Sequence, residues 1–389
     1  MQSRRRFIFS LAVIFSINLQ RSLAVRNKNI VNVNVVADVQ NLELMDGLLV
    51  ETTGYYSSGD GGGSTYVIKK HSNKNKKYSI NINEYFCMIL VNKNDPVSLK
   101  QLGIHADGKN DDTYLLREVL KFSGNYYFSE GTILVSDYIE LAPHISLIGA
   151  GMFKSKIEYR SVEGNWLFIN GRKGDRNFLS GFGYNGRSDY IFKDFSIDLR
   201  GDIAKYSRSA MIFGRSSNVI IENVGFINGK NSHRIECNSQ SDFHIKNCIF
   251  ANTLVTDESS HEEINIDFNS EKSFPAFGKW DYSACKNIII SSCFFYNVQS
   301  GVGSHSYNFR KHENIVIIDC SFFNISKAAI RFQSFNNSVI EKCRFEHVSG
   351  YSVILLDSCW NRMFDNYFSL SSKRLHISKD SLYNIILDE

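Results

Sequence analysis

Residues able to do acid–base chemistry crowd into one interval of the chain. Residues 261–268 read HEEINIDF. On a strand, Ile264, Ile266 and Phe268 would face the core, and Glu263, Asn265 and Asp267 would face solvent together. Residues 269–284 then carry Lys272, Phe274, Phe277, Lys279, Trp280, Asp281 and Tyr282. Residues 301–306 read GVGSHS, with Tyr307, Arg310, Lys311 and His312 just beyond. Two glycines there leave the backbone open to a ligand. Glu263, Asp267, Asp281 and His305 are the candidate catalytic groups. One carboxyl can protonate a leaving oxygen while another attacks or activates water. Alternatively, His305 or Tyr282 can remove a proton beside a carboxylate while Arg310, Arg331 or Lys279 offsets the developing charge. Glu236, Lys279, Trp280, Tyr282, Arg310 and Arg331 are the candidate substrate contacts, because aromatic faces among charges suit a sugar ring. The plain alternative for any one of these carboxylates is a solvated strand face.

These groups lie on separate segments, so repeated elements must bring them together. Stretches beginning at Asn218 (NVIIENVGF), Asp242 (DFHIKNCIF), Asn287 (NIIISSCFF), Asn314 (NIVIIDCSF) and Asn337 (NSVIEKCRF) fit one template, and those at Asp189 and Trp360 fit it loosely. The positions equivalent to Cys are 195, 224, 248, 293, 320, 343 and 366, spaced by 29, 24, 45, 27, 23 and 23 residues. Short β-rich stretches at that period, without helical periodicity, describe a solenoid whose apolar residues are buried only by stacking. Ile288, Ile290, Cys293 and Phe295 should point inward. The corner Asn can tolerate left-handed geometry and hydrogen-bond the turn, or ladder with its neighbours. The long interval holds the candidate site, as insertions in solenoids tend to collect on the binding face. With coils about 4.8 Å apart, Glu236, Glu263, Asp267, His305 and Arg331 would form one column or a narrow patch.

The repeat resembles the right-handed parallel β-helix of pectate lyases, polygalacturonases and phage tailspike depolymerases. Two further stretches strengthen the resemblance: GYY with GDGGGSTY at residues 54–66, and ADGKNDDT at residues 106–113, similar to the opening motif of the pectate-lyase-3 type. The likeness covers roughly residues 40–370 and implies an all-β solenoid with a small N-terminal region and an N-terminal capping helix. Asp112 is placed to cap a helix over residues 113–122, with Leu115, Leu116, Val119 and Leu120 on its covered face. The polygalacturonase set of paired Asp-Asp and Gly-His-Gly is absent. So is the recognisable calcium-site Asp cluster of the pectate lyases; no cofactor is expected, with calcium an open alternative that the sequence does not indicate. The resemblance implies an exported enzyme, glycoside hydrolase or polysaccharide lyase, acting on an acidic or capsular polysaccharide. The alternatives are a C5-epimerase or processing enzyme of polysaccharide assembly, and a non-catalytic carbohydrate-binding adhesin or spike.

Composition sets the remaining bounds. The chain has 389 residues, 43% of them hydrophobic, with 26 Gly and 3 Pro, which excludes disordered and collagen-like classes. Its net charge of +4 belongs to residues 1–24, which hold Arg4, Arg5, Arg6 and Arg21 and no acid. The neutral remainder gives no argument for a nucleic-acid partner. Residues 1–24 have the order of a bacterial signal peptide, of the twin-arginine or the general secretory kind. The reading is therefore residues 1–24 as signal, 25–98 as the small N-terminal region and 99–389 as the β-helix. No membrane association is expected beyond export. Cys248, Cys293, Cys320 and Cys343 share an inward position and read as small buried thiols; Cys285 and Cys359, near corners, would be the pair-formers. The strand-like residues 382–387 lack a covering helix, an arrangement that invites association, here as a homotrimer.

Overall fold

The computed structural model describes residues 30–71, 77–91, 95–171, 182–273, 279–304, 306–369 and 373–387. Residues 1–24, Phe274, Phe277 and His305 lie outside the described residues. The chain divides into two compact units, Met1–Asn94 with Lys100–Gly103, and Asp95–Leu99 with Ile104–Glu389. The smaller unit holds a sheet in the order Ile30–Val33, Leu49–Thr52, Thr65–Lys70, Phe86–Leu90, Ser79–Asn81, parallel only in its first pair. Asp60 organises its GDGGG turn by accepting the backbone N–H groups of Tyr55, Tyr56, Ser57 and Gly62 at 2.7–3.0 Å.

The larger unit is a right-handed parallel β-helix. The first and second strands of each coil join in a twenty-stranded sheet, and the third strands form a sheet of nine. Inward residues stack in files. Leu147, Phe192, Ile221, Ile245, Ile290, Ile317, Ile340 and Met363 are aligned by strand register, and all are buried. The Phe that closes the repeat forms a ladder, Phe226–Phe250–Phe295–Phe322–Phe345–Phe368, with ring centroids 4.6–5.2 Å apart and planes within 11°. Burial and ring stacking together hold coil to coil.

The Cys file is inward, as the repeat predicts. Cys248, Cys293, Cys320 and Cys343 each donate a thiol hydrogen to a carbonyl of the preceding coil at 3.6–3.8 Å. In the last full coil Asn366 takes the position and donates to Ile340 O at 2.9 Å. All eight cysteines are free thiols, Cys285 and Cys359 included. The corner residues Asp189, Asn218, Asp242, Asn287, Asn314 and Asn337 all have positive φ. Asn218 donates to Asp189, Asn287 to Asp242, Asn314 to Asn287 and Asn337 to Asn314 at 2.8–3.2 Å. Short polar side chains offset the cost of left-handed geometry by bonding locally and along the ladder.

The helix runs Thr113–Leu120, two residues shorter than expected, and buries Leu116 and Leu120. Asp112 sits at the N-cap position, but its carboxylate turns away from the helix. It accepts the backbone N–H groups of His105 and Ala106 at 2.9 and 3.0 Å and lies 2.8 Å from His105 Nδ1. Asp111 accepts the Thr113 N–H instead, at 2.9 Å. The paired aspartates of the opening motif thus split their work between the loop before the helix and the helix start.

Candidate functional site

The candidate site lies on the nine-stranded sheet, on the face opposite the core. Strands Ile235–Asn238 and Glu262–Asp267 pair in register, Glu236 with Asn265 and Asn238 with Asp267. Because Ile235, Cys237, Ile264 and Ile266 fill the core, these four polar residues share the outer face. They form a square with carboxylates on one diagonal and amides on the other. The row through Glu236 and Asn265 continues to Gly303 and Arg331.

The expectation that this face is open to solvent is corrected: Glu236, Asn238, Asn265 and Asp267 are all at least nine-tenths buried. Segments at the C-terminal ends of the strands are laced together beside them. Asp281 accepts Gly183 N–H at 2.6 Å, Tyr184 Oη donates to Ala284 O at 2.8 Å, and Ser239 Oγ donates to Gly183 O at 3.0 Å. Alternation gives parity and cannot report what other segments lay over a strand.

Within the square, Glu236 accepts from Ser209 Oγ at 2.7 Å. Asp267 accepts from Ser304 Oγ at 2.9 Å and from Asn265 Nδ2 at 3.1 Å. Asn238 Nδ2 and Oδ1 and Asn265 Oδ1 are buried without a hydrogen-bond partner, and along the same face so are Arg331 Nε and Gln333 Nε2. Arg331 Nη2 donates to Gln333 Oε1 at 2.8 Å. Leaving such atoms unmatched costs about 1–3 kcal/mol each, so a cluster of them sets this face apart from an ordinary buried sheet surface.

Beside the square is a cleft of about 370 Å³ lined by Phe268, Lys272, Tyr282, Ser306, Tyr307 and Asn308, among others. One hydroxyl connects cleft and square: Ser304 Oγ bonds Asp267, accepts the Ser306 N–H at 3.2 Å and lies 3.4 Å from Ser306 O. Tyr282 and Tyr307 are 45% and 62% exposed, so ring surface on both loops is available for stacking. Tyr282 has positive φ. It is held there by reciprocal bonds at 3.0 Å, Tyr282 N–H to Asn269 O and Asn269 N–H to Ser283 O. The buried Arg215 guanidinium donates to Lys279 O and ties the same loop to the sheet corner.

The remaining expected site residues divide. Glu263 is not on the outer face with Asp267. It turns into the interior at the strand's start, where Oε2 lies 3.2 Å from Arg234 Nε and Oε1 accepts from Thr253 Oγ1. Burial pushes its carboxyl up, against the pull of Arg234 and Thr253. Asp281 is a clamp, accepting Gly183 N–H, Ser283 N–H and Ser283 Oγ. Burial would raise its carboxyl, but those bonds and Arg215 hold it below the usual range. Trp280 is half-buried, Lys279 and Arg310 are exposed, and the Arg310 guanidinium lies 5.7 Å from the Phe309 ring centroid. Asn238, Ser304 and Gln333 escaped the sequence reading; only the repeat register, extended residue by residue across coils, could have found them. Among the described residues no group of three or more His, Cys, Asp or Glu is placed to hold a metal ion.

Comparison with known proteins agrees with this architecture. A curated relative, plasmin and fibronectin-binding protein A of Streptococcus pneumoniae, is 24% identical over 316 residues, 72% of this chain. The chain spans 44% of that protein's length. Among solved structures, the S. pneumoniae surface protein and adhesin PfbA superposes with a TM-score of 0.58 at 20% identity, covering 75% of this chain and 85% of that one. Geobacillus virus E2 ORF18 gives 0.56 at 17%, covering 92% and 74%. Pantoea stewartii WceF, described as a glycan biofilm modifying enzyme with a tailspike-like parallel β-helix fold, gives 0.56 at 13%, covering 90% and 48%. At such identities these likenesses bear on the fold alone. The family model for rhamnogalacturonase A/epimerase, pectate lyase-like proteins matches residues 97–351, most of the chain, and the protein belongs to that family.

Proposed function

We propose that the protein is an exported polysaccharide-degrading enzyme that holds its substrate in the two-tyrosine cleft and cleaves it with Glu236 and Asp267. The observation carrying this reading is the square of two carboxylates and two incompletely bonded amides on adjacent coils. One strand spacing combined with a two-residue offset separates the two backbones by about 8 Å. Carboxyl groups roughly 6.5–9.5 Å apart suit inverting hydrolysis, in which one protonates the leaving oxygen and the other activates water on the opposite face of the ring. The amides of Asn238 and Asn265 can exchange hydrogen bonds with ring hydroxyls. Tyr282 and Tyr307 offer their faces to the sugar, and Lys272 and Glu271 in the lining offer charged contacts to its substituents.

Incubation with a panel of acidic and neutral polysaccharides tests the reading. Wild type should release reducing ends with inverted anomeric configuration by NMR, and Glu236→Gln and Asp267→Asn should each lower the rate at least about 100-fold. Unsaturated products absorbing near 230 nm would replace hydrolysis with elimination. A second reading, a non-catalytic glycan-binding adhesin, is favoured by the name of the curated relative. It requires glycan retention, no product from wild type, and retention undiminished in both variants.

A further inference from the structure

A different face of the β-helix carries a second constellation. On the outer side of the second strands, register aligns Lys156, Ser196, Gly225, Ile249, Phe294, Ser321, Arg344 and Tyr367 in one row. The parallel row begins at Glu158 and Asp198 and continues to Tyr296 and Phe323. Charged residues thus stand at one end, small and aliphatic ones in the middle, and aromatic ones beyond, with Arg344 among them.

The charged end is a cleft of about 610 Å³ whose lining holds three cations, Lys156, Arg160 and Arg200, and three carboxylates, Glu158, Asp198 and Asp202, with Arg200 paired to Asp202 at 2.9 Å. Glu158 is gripped by Lys156 Nζ at 2.9 Å, Arg160 Nε at 2.6 Å and Arg200 Nη1 at 3.0 Å. Burial would raise its carboxyl, but these cations hold it at about 2, so it stays charged. Arg160 donates side-chain hydrogen only through Nε, which leaves the two-nitrogen edge of a half-exposed guanidinium open. That edge is the fork that binds a carboxylate bidentately. Two fully buried guanidiniums stand behind the wall. Arg208 donates to Tyr159 O and Leu199 O, has no carboxylate partner, and leaves Nε and Nη2 unmatched. Arg234 packs beneath Gly229, where a Cβ would fall 1.7 Å from its Cζ. Glu263 offsets the Arg234 charge, whereas low dielectric around Arg208 extends its field toward the cleft wall at Tyr159 and Leu199.

At the other end, Phe294 and Tyr296 are 41% and 37% exposed and near-parallel at 11°, and Tyr296 stacks on Phe323 at 5.8 Å. From Glu158 to Phe323 is five coil steps, about 24 Å along the axis.

We propose that this face is a second glycan-contact surface, separate from the two-tyrosine cleft, that takes an extended acidic chain with a carboxylate on Arg160 and Lys156 and apolar ring edges on Phe294 and Tyr296. It retains polymer without cleaving it. A protein with Tyr282→Ala and Tyr307→Ala isolates the surface from the cleft. Its migration is followed in native gels containing polygalacturonate or alginate, with dextran as the neutral control. The surface predicts retardation in both acidic gels and none in dextran, weakening as salt rises. Adding Arg160→Gln with Lys156→Gln, or Tyr296→Ser alone, should raise the apparent Kd at least about tenfold. Circular dichroism confirms that each variant is folded, and Phe294→Ser substitutes for any that is not. No retardation in either acidic gel, equal retardation in dextran, or retardation unchanged by the substitutions overturns the proposal. Loss of product formation in Glu236→Gln bears on the cleft alone.

Discussion

At the scale of single residues, the interior holds titratable groups whose burial is measurable as stability. His312 is fully buried between the rings of Phe268 and Phe335, at 4.1 and 4.9 Å, and accepts the Cys285 N–H on Nδ1 at 3.1 Å. Burial lowers its pKa to about 3, against the pull of Asp267. An unfolded imidazole titrates near 6.5, so above that pH neither state binds the proton. Between about pH 6.5 and 3 the unfolded chain binds a proton that the folded chain refuses, and stability falls as pH falls. His312→Phe should therefore flatten the urea midpoint across that window; an unchanged slope would place the acid sensitivity elsewhere. Glu263 and Arg234 form a buried ion pair. Glu263→Leu strands a buried guanidinium and should cost about 3–5 kcal/mol in urea unfolding, far more than an outer-face carboxylate would. A loss below about 1 kcal/mol would return Glu263 to the surface role that its sequence context suggested.

At the scale of elements, the repeat explains what could be read in advance. Asn314 has positive φ, donates to Asn287 and accepts from Asn337. Asn314→Ala should lose about 1–2 kcal/mol, and Asn314→Gly less, because glycine keeps the left-handed conformation at no steric cost. Equal losses would show that the ladder bonds, not the backbone, set the cost. The corner Asn, the inward Cys and the closing Phe were legible because each recurs in several coils and answers to a local rule. The site was legible only in part. Asp267 and Glu236 stand together on the outer face of one sheet, as the repeat spacing implies. Glu263, two strand positions from Asn265, misled because alternation fails at a strand's first turn, where a side chain can bend into the corner. Asp281 misled because a carboxylate in a long loop looks the same whether it meets substrate or three hydrogen donors of its own chain. Asn238 and Gln333 carry no sequence signal of their own.

At the scale of the molecule, a β-helix offers several long outer faces, and sequence gives this chain two distinct ones. The nine-stranded sheet presents buried polar atoms beside a tyrosine-walled cleft, and the second strands present a charged cleft at one end and exposed rings several coils away. No helix among the described residues is long and apolar enough to cross a membrane. The most direct test is the crystal structure of Asp267→Asn with a bound oligosaccharide of the processed polymer. The account predicts a sugar in the cleft against Tyr282 and Tyr307, with hydroxyls within hydrogen-bond distance of Asn238 Nδ2 and Asn265 Oδ1 and the scissile oxygen between Glu236 and residue 267. A sugar bound elsewhere, with the Asn238 amide meeting only water, would contradict it.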